Sequence, residues 1–204
     1  MKKLITILLL LFSTIVIAQN NPFQYKIWVG EDQYNYLETH YVDGAVNLLN
    51  GKKIGGLINR DFTKPIITLI DGDTVTYDGR EIIDFKLKDQ SKVISATIDG
   101  EQKFLQELPI EEGPIKIYTY DKIIKEDKRD TGGKYFTSPI EYNRIVKIYF
   151  YKNGEYKILT SNNDVYQLIY DNQITMDYIK KLGEIELSNL NQIVHIIEFY
   201  NISN

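Results

Sequence analysis

The sequence has no cysteine at all. That excludes a disulfide framework, a thiolate metal site and a lipid-modified cysteine behind an export signal. Histidine is nearly as scarce, with only His40 and His195. Two imidazoles are too few for most metal centres or catalytic triads. Positive charge is not in surplus. The formal net charge is −4, and loss of Lys2 and Lys3 with a leader would make the chain more acidic still. Such a surface does not attract nucleic acid, which needs clustered positive charge. Alanine occurs only at positions 18, 45 and 96, while isoleucine and tyrosine abound. The best helix former thus gives way to residues that suit a pleated surface. No serine has the G-x-S-x-G setting of a nucleophile elbow, and Gly132-Gly133-Lys134 lacks the spacing of a phosphate loop. No stretch is rich enough in Pro, Gly or Ser to separate domains, and no fixed-period repeat is visible.

What is present begins at the N-terminus. Lys2 and Lys3 precede a run over residues 4–17 that is apolar except for Thr6, Ser13 and Thr14. Val16-Ile17-Ala18 then offers slim residues at a cleavage site. This is the layout of a secretory signal peptide over 1–18. The rival, a membrane anchor, needs roughly 20 apolar residues, and polar Gln19-Asn20-Asn21-Pro22 follows at once. The mature chain is expected to be one domain, 19–204, in the periplasm or outside the cell, with no transmembrane segment after signal removal. A domain of this length buries about two-thirds of its unfolded surface, so it can be held together by its core alone.

Turn chemistry supplies the fold class. Asn-Gly and Asp-Gly steps favour tight hairpin turns. They occur at Asp43-Gly44, Asn50-Gly51, Asp71-Gly72, Asp78-Gly79, Asp99-Gly100 and Asn153-Gly154. Residues 66–70 and 74–77, 92–98 and 102–105, and 144–151 and 156–159 read as hairpins around three of these steps. Residues 53–58, 81–87 and 115–120 add strands. Val146, Ile148 and Phe150 would share one face, and Ile145, Lys147, Tyr149 and Tyr151 the other. The segment 31–40 reads as a loop or a short helix. The mixed charges of 122–130 read as a solvated loop. Past residue 160 the period becomes helical. Asp164 with Gln167 fits a capping box before Val165, Leu168 and Ile169. Thr175 could cap a second helix ended by Gly183, and Ser188 a third. In that third helix Leu190, Ile193, Val194, Ile197 and Tyr200 form one apolar stripe. The expectation is a mainly β fold with a helical C-terminus. An antiparallel hairpin meander over 24–160 forms a barrel or a two-sheet sandwich, and two or three short helices over 163–201 cap it.

Candidate chemistry is sparse. Glu38, His40 and Asp43 could meet at a metal, but the spacing matches no ligand pattern and an exposed loop histidine is the plainer reading. Asp71, Asp73 and Asp78 are not a helix–loop–helix calcium loop, because Val75 is apolar where a ligand is needed. They read as turn formers. Trp28, Tyr34, Tyr36 and Tyr41 cluster in the least regular region and could stack on sugar rings. Core or sheet-face tyrosine is the plainer alternative. No residue is assigned a catalytic role, and no metal or cofactor is expected.

The chain resembles small uncharacterised secreted proteins of the Bacteroidota. The resemblance lies in Gly51-Lys52-Lys53-Ile54-Gly55-Gly56-Leu57-Ile58, in Val75-Thr76-Tyr77, in Glu81-Ile82-Ile83-Asp84-Phe85, and in a final helix running into Tyr200-Asn201. It implies export from a Gram-negative cell and carries no activity. It also implies that Thr74, in Asp73-Thr74-Val75, is a possible O-glycosylation site. The expected function is a non-enzymatic structural or binding role, with a cell-envelope protein or glycan as possible partner. The rivals are a carbohydrate-binding module and a hydrolase with paired carboxylates.

Overall fold

The computed structural model describes residues 24–88, 90, 92–127, 140–183 and 190–204. The export-signal segment, Gly132-Gly133-Lys134 and Ser188 lie outside the described residues. The strands are β1 (Gln24–Val29), β2 (Val42–Leu48), β3 (Lys53–Arg60), β4 (Ile66–Asp71), β5 (Asp73–Asp78), β6 (Ile82–Leu87), β7 (Lys92–Ile98), β8 (Glu101–Glu107), β9 (Ile115–Asp127), β10 (Ile140–Lys152) and β11 (Glu155–Ile158). The helices are α1 (Glu31–Thr39), α2 (Asn162–Ile169), α3 (Gln173–Leu182) and α4 (Leu190–Ser203).

All eleven strands belong to one antiparallel sheet in the order β1-β10-β9-β8-β7-β6-β2-β3-β4-β5, with β11 also on β10. The sheet is not closed into a barrel. It is sandwich-like, a mainly β fold with a helical C-terminus. Local chemistry explains the hairpins. Asp99 and Gly100, and Asn153 and Gly154, all take positive φ, as a two-residue turn matched to strand twist requires. Asp43-Gly44 is a correction, for it lies inside β2 and makes no turn. There the bare Cα is needed because Lys86 O and an Ile58 methyl would lie 2.6 and 2.7 Å from an added Cβ. Asp78-Gly79 opens a single 3-10 turn, with Asp78 and Glu81 in a reciprocal capping box.

Both faces of the long pair β9–β10 are buried. On one, Ile115, Ile117, Ile148 and Phe150 pack under α2, α3 and α4 through Leu168, Ile179, Ile193 and Ile197. On the other, Tyr118 and Tyr149 pack with Ala96, Ile98 and Leu105, bordered by Tyr120, Tyr151 and Tyr156. The two faces read for 145–151 are therefore both apolar layers. The other half of the sheet wraps Val46, Ile58, Ile67, Phe85 and Phe104 into a further cluster.

Two expectations shift, and the choice between loop and short helix for 31–40 falls to the helix. The charged run beginning at Lys122 is strand as far as Asp127, because β10 supplies a partner residue for residue along its length. Pairing of the backbone outweighs the polarity of side chains that point outward. The segment 31–39 is helical, as α1. Ser161, with Asp164 at its third position, caps α2, and Asn172 rather than Thr175 caps α3. Gly183 ends α3 with φ 87°.

Candidate anion-binding cleft

Arg60 ends β3, and its position follows from alternation. Ile54, Gly56, Ile58 and Arg60 take the same side of the strand. The register sets Ile58 opposite Leu69 and Arg60 opposite Ile67, both buried. The side chain is therefore carried inward, and Arg60 is only 8% exposed. The next residues fix its surroundings. Asp61 Oδ1 accepts from Thr63 N at 2.6 Å, from Thr63 Oγ1 at 2.7 Å and from Lys64 N at 3.2 Å. This side-chain turn presents Phe62, whose carbonyl accepts from Ile123 N of β9 at 2.8 Å. The loop is thus stapled to the far strand. Arg60 Cζ lies 4.7 Å from the Phe62 ring centroid and 5.9 Å from that of Phe104.

Hydrogen bonding leaves Arg60 short. Its Nη2 donates to the Asp121 carbonyl at 3.0 Å. Its Nε is sealed from solvent and has no partner among the described residues. The carboxylate of Asp121 is taken by Arg144, whose Nε donates to both oxygens at 2.9 and 3.0 Å. Arg60 thus bonds only the main chain of Asp121, and the carboxylate belongs to Arg144. Burial foremost, and the Arg144 charge behind it, push Arg60 below its ordinary pKa against the opposing pull of Asp121. An arginine does not deprotonate in response. It stays charged, with a want of anion around it.

A cleft of about 380 Å³ opens beside it. Arg60, Lys64, Arg80, Lys103 and Lys122 bring positive charge to its lining, and Asp61, Asp78, Glu101 and Asp121 bring negative. A second cleft of about 340 Å³ shares Arg60, Asp61, Phe62 and Thr63, and is lined further by Tyr34 and Tyr41. Arg60 is the buried charge common to both.

The residues singled out in the sequence are scattered around this place. Trp28 on β1 is 66% exposed and Tyr36 on α1 is 57% exposed. Tyr36 stacks on His40 with centroids 4.6 Å apart. Tyr34 is buried and stacks on Tyr142 at 4.0 Å. The four rings do not form one exposed row. Tyr34 and Tyr41 are brought to the second cleft, while Trp28 and Tyr36 are in neither. Thr74 is exposed on the edge strand β5. Among the described residues no group of His, Cys, Asp and Glu is arranged to hold a metal ion, and no helix is long and apolar enough to cross a membrane.

Sequence reasoning passed over Arg60, Phe62, Phe104, Asp121 and Arg144. One signal was available: an arginine on the apolar side of an alternating strand. Comparison with protein-family models, with curated proteins and with solved structures finds no match for this chain.

Proposed function

We propose that the protein is an exported, non-enzymatic binding protein, at work in the periplasm or outside the cell, whose ligand carries negative charge and docks over Arg60. One observation carries this reading: the buried Arg60 guanidinium has no carboxylate of its own and Arg60 lines two clefts. A buried charge without an opposite charge of its own is costly, and a bound anion would offset that cost. The carboxylates nearby are committed to holding the scaffold: Asp61 to its loop, Asp78 to its turn, Asp121 to Arg144. That favours a rigid receptor over a reactive centre. The basic and apolar pattern of residues 1–18 supports export, and the resemblance to Bacteroidota proteins supports a Gram-negative envelope.

A saccharide is the second reading of the ligand. It is favoured by Tyr41, exposed beside Arg60, since an aromatic ring offers a flat apolar platform.

Thermal unfolding of residues 19–204 with and without added small anions, at matched ionic strength, tests the proposal. Anions are expected to raise the midpoint of the wild type and to leave Arg60→Met unmoved. Equal shifts in both proteins would overturn it. Mass spectrometry of protein secreted by the native host is expected to find Gln19 at the mature N-terminus.

A further inference from the structure

Resting on that reading, we propose that the ligand is an acidic oligosaccharide, which runs from the Arg60 cleft along the helix-free face of β9 and β10. Alternation and register put five tyrosines on that face: Tyr118 and Tyr120 on β9, Tyr149 and Tyr151 on β10, and Tyr156 on β11. The helices pack on the opposite face, α1 through Tyr34 against Tyr142, and α2, α3 and α4 over Ile148 and Phe150. The layer beneath the tyrosines is built from strand residues alone. Trp28, opposite Asn143 on the same face, is 66% exposed, so the face is open to solvent at that end.

The cleft and the face are continuous. Tyr120 and Lys122 line the Arg60 cleft and also belong to the face. The Tyr120 ring meets that of Tyr149 at 6.4 Å, and Tyr149 and Tyr156 line a further cleft of about 340 Å³. On β10, Ile145 opposite Lys122 and Tyr151 opposite Lys116 are six residues apart, about 20 Å. One sugar unit does not span that length. The rings tilt into one another, at 60° for Tyr118 and Tyr156, 88° for Tyr120 and Tyr149 and 47° for Tyr151 and Tyr156. Tyr120, Tyr151 and Tyr156 are half-buried, and their hydroxyls have no hydrogen-bond partner among the described residues. Free hydroxyls that both donate and accept, carried on apolar rings, suit a chain dense in hydroxyls.

Charge sets the direction of that chain. Glu101 pairs with Lys103 and Glu107 with Lys116. Lys122 and Lys147, on the same face, have no ion pair among the described residues. Glu101 is held below its ordinary pKa by the bond from Lys103 first, and then by the charges of Lys103, Lys122 and Lys147. Both free lysines therefore stand beside the Arg60 cleft, which Glu101 lines. In the far cleft Asp99 and Asp164 outnumber Lys157. The acidic unit belongs at the Arg60 end, and neutral units extend over the tyrosines. Two free lysines and one arginine are too few for a nucleic-acid strand, which is charged at every residue.

Calorimetric titration of residues 19–204 at matched ionic strength tests this. The probes are glucuronate, xylotetraose, xylotriose bearing one glucuronate, and oligothymidylate. The charged oligosaccharide is expected to bind at least about tenfold more tightly than glucuronate. Tyr151→Phe combined with Tyr156→Phe keeps the rings and removes two hydroxyls. It is expected to cancel about tenfold of that gain and to leave glucuronate binding unchanged. Equal affinity for glucuronate and the charged oligosaccharide, or a gain that survives the double variant, overturns the inference and leaves the Arg60 reading standing. Tighter binding of oligothymidylate overturns it in favour of a nucleic acid. Equal binding of xylotetraose removes the charge requirement, and the Arg60 reading falls with it. If no probe binds, the inference falls, and the anion-dependent thermal shift decides the Arg60 reading separately.

Discussion

The carboxamide of Asn201 is paired with the main chain of Ile115 as a neighbouring strand would be. Its Oδ1 accepts from Ile115 N at 3.1 Å and its Nδ2 donates to Ile115 O at 2.9 Å. The same Nδ2 donates to Glu111 O at 3.0 Å. One side chain at the end of α4 thereby satisfies the start of β9, and the helical end is pinned to the sheet. Replacing Asn201 by Ala leaves buried backbone groups unpaired and is expected to cost roughly 2–3 kcal/mol, read from denaturant unfolding. Asn201→Asp should be less stable at pH 7 than near pH 4. Its charged oxygen faces two carbonyls, and protonation restores a donor.

Arg60 and Arg144 share Asp121 but should respond in opposite ways. Arg144→Met strips the carboxylate of its bidentate partner, and loss of one member of this half-buried pair is expected to cost about 2 kcal/mol. Arg60→Met removes a buried charge that lacks a partner of its own. It is expected to leave the thermal midpoint unchanged or raised, the usual relation between a binding group and stability. A fall as large as that of Arg144→Met would show that Arg60 serves the scaffold.

Asp164 ties the start of α2 to acid stability. Partial burial pushes its carboxyl up, but bonds from Thr160 and Ser161 outweigh this and hold it below the usual value of 3.8. A depressed carboxyl stabilises the fold above its unfolded pKa, and that contribution fades as pH falls through the folded one. Asp164→Asn should lose roughly 1 kcal/mol near neutrality. The gap from wild type should narrow as pH falls through the depressed pKa of Asp164 in the fold, below which both side chains are uncharged. Parallel unfolding curves at every pH would contradict this.

The tyrosines on the second face of β9–β10 set an alkaline limit. Burial first, then neighbouring acids and phenols, raise Tyr118, Tyr149 and Tyr156, and push Tyr120 up to about 12. A phenol whose folded pKa is raised keeps its full stabilising effect below the unfolded value near 10 and loses it as pH rises toward the folded one. Ultraviolet titration of the sixteen tyrosines should therefore show these four missing from the first phenolate wave. They should appear only at higher pH, as the fold opens.

Much of the architecture was readable because its causes are local. Asp99-Gly100 and Asn153-Gly154 announce their hairpins since few other pairs take positive φ without strain. The apolar stripe of α4 is legible because helical spacing alone lines up Ile193, Ile197 and Tyr200. The same local logic misread Asp43-Gly44, where Gly44 answers to strands that arrive from elsewhere in the chain. It also misread the charged end of β9, which is strand because β10 lies beside it.

The site lay further from reach. Alternation along β3 placed an arginine on an apolar face, and that much is written in residues 53–60. Sequence by itself determined the hairpins, the helical end and the absence of thiol chemistry, since each depends on contacts a few residues apart or on composition. Only the tertiary structure decided that Phe62, Phe104, Asp121 and Arg144 gather around Arg60. It also decided that Tyr34 turns inward while Trp28 faces water. Those neighbours are brought together by a sheet that curls back on itself, and the curl sums the packing of every strand between them.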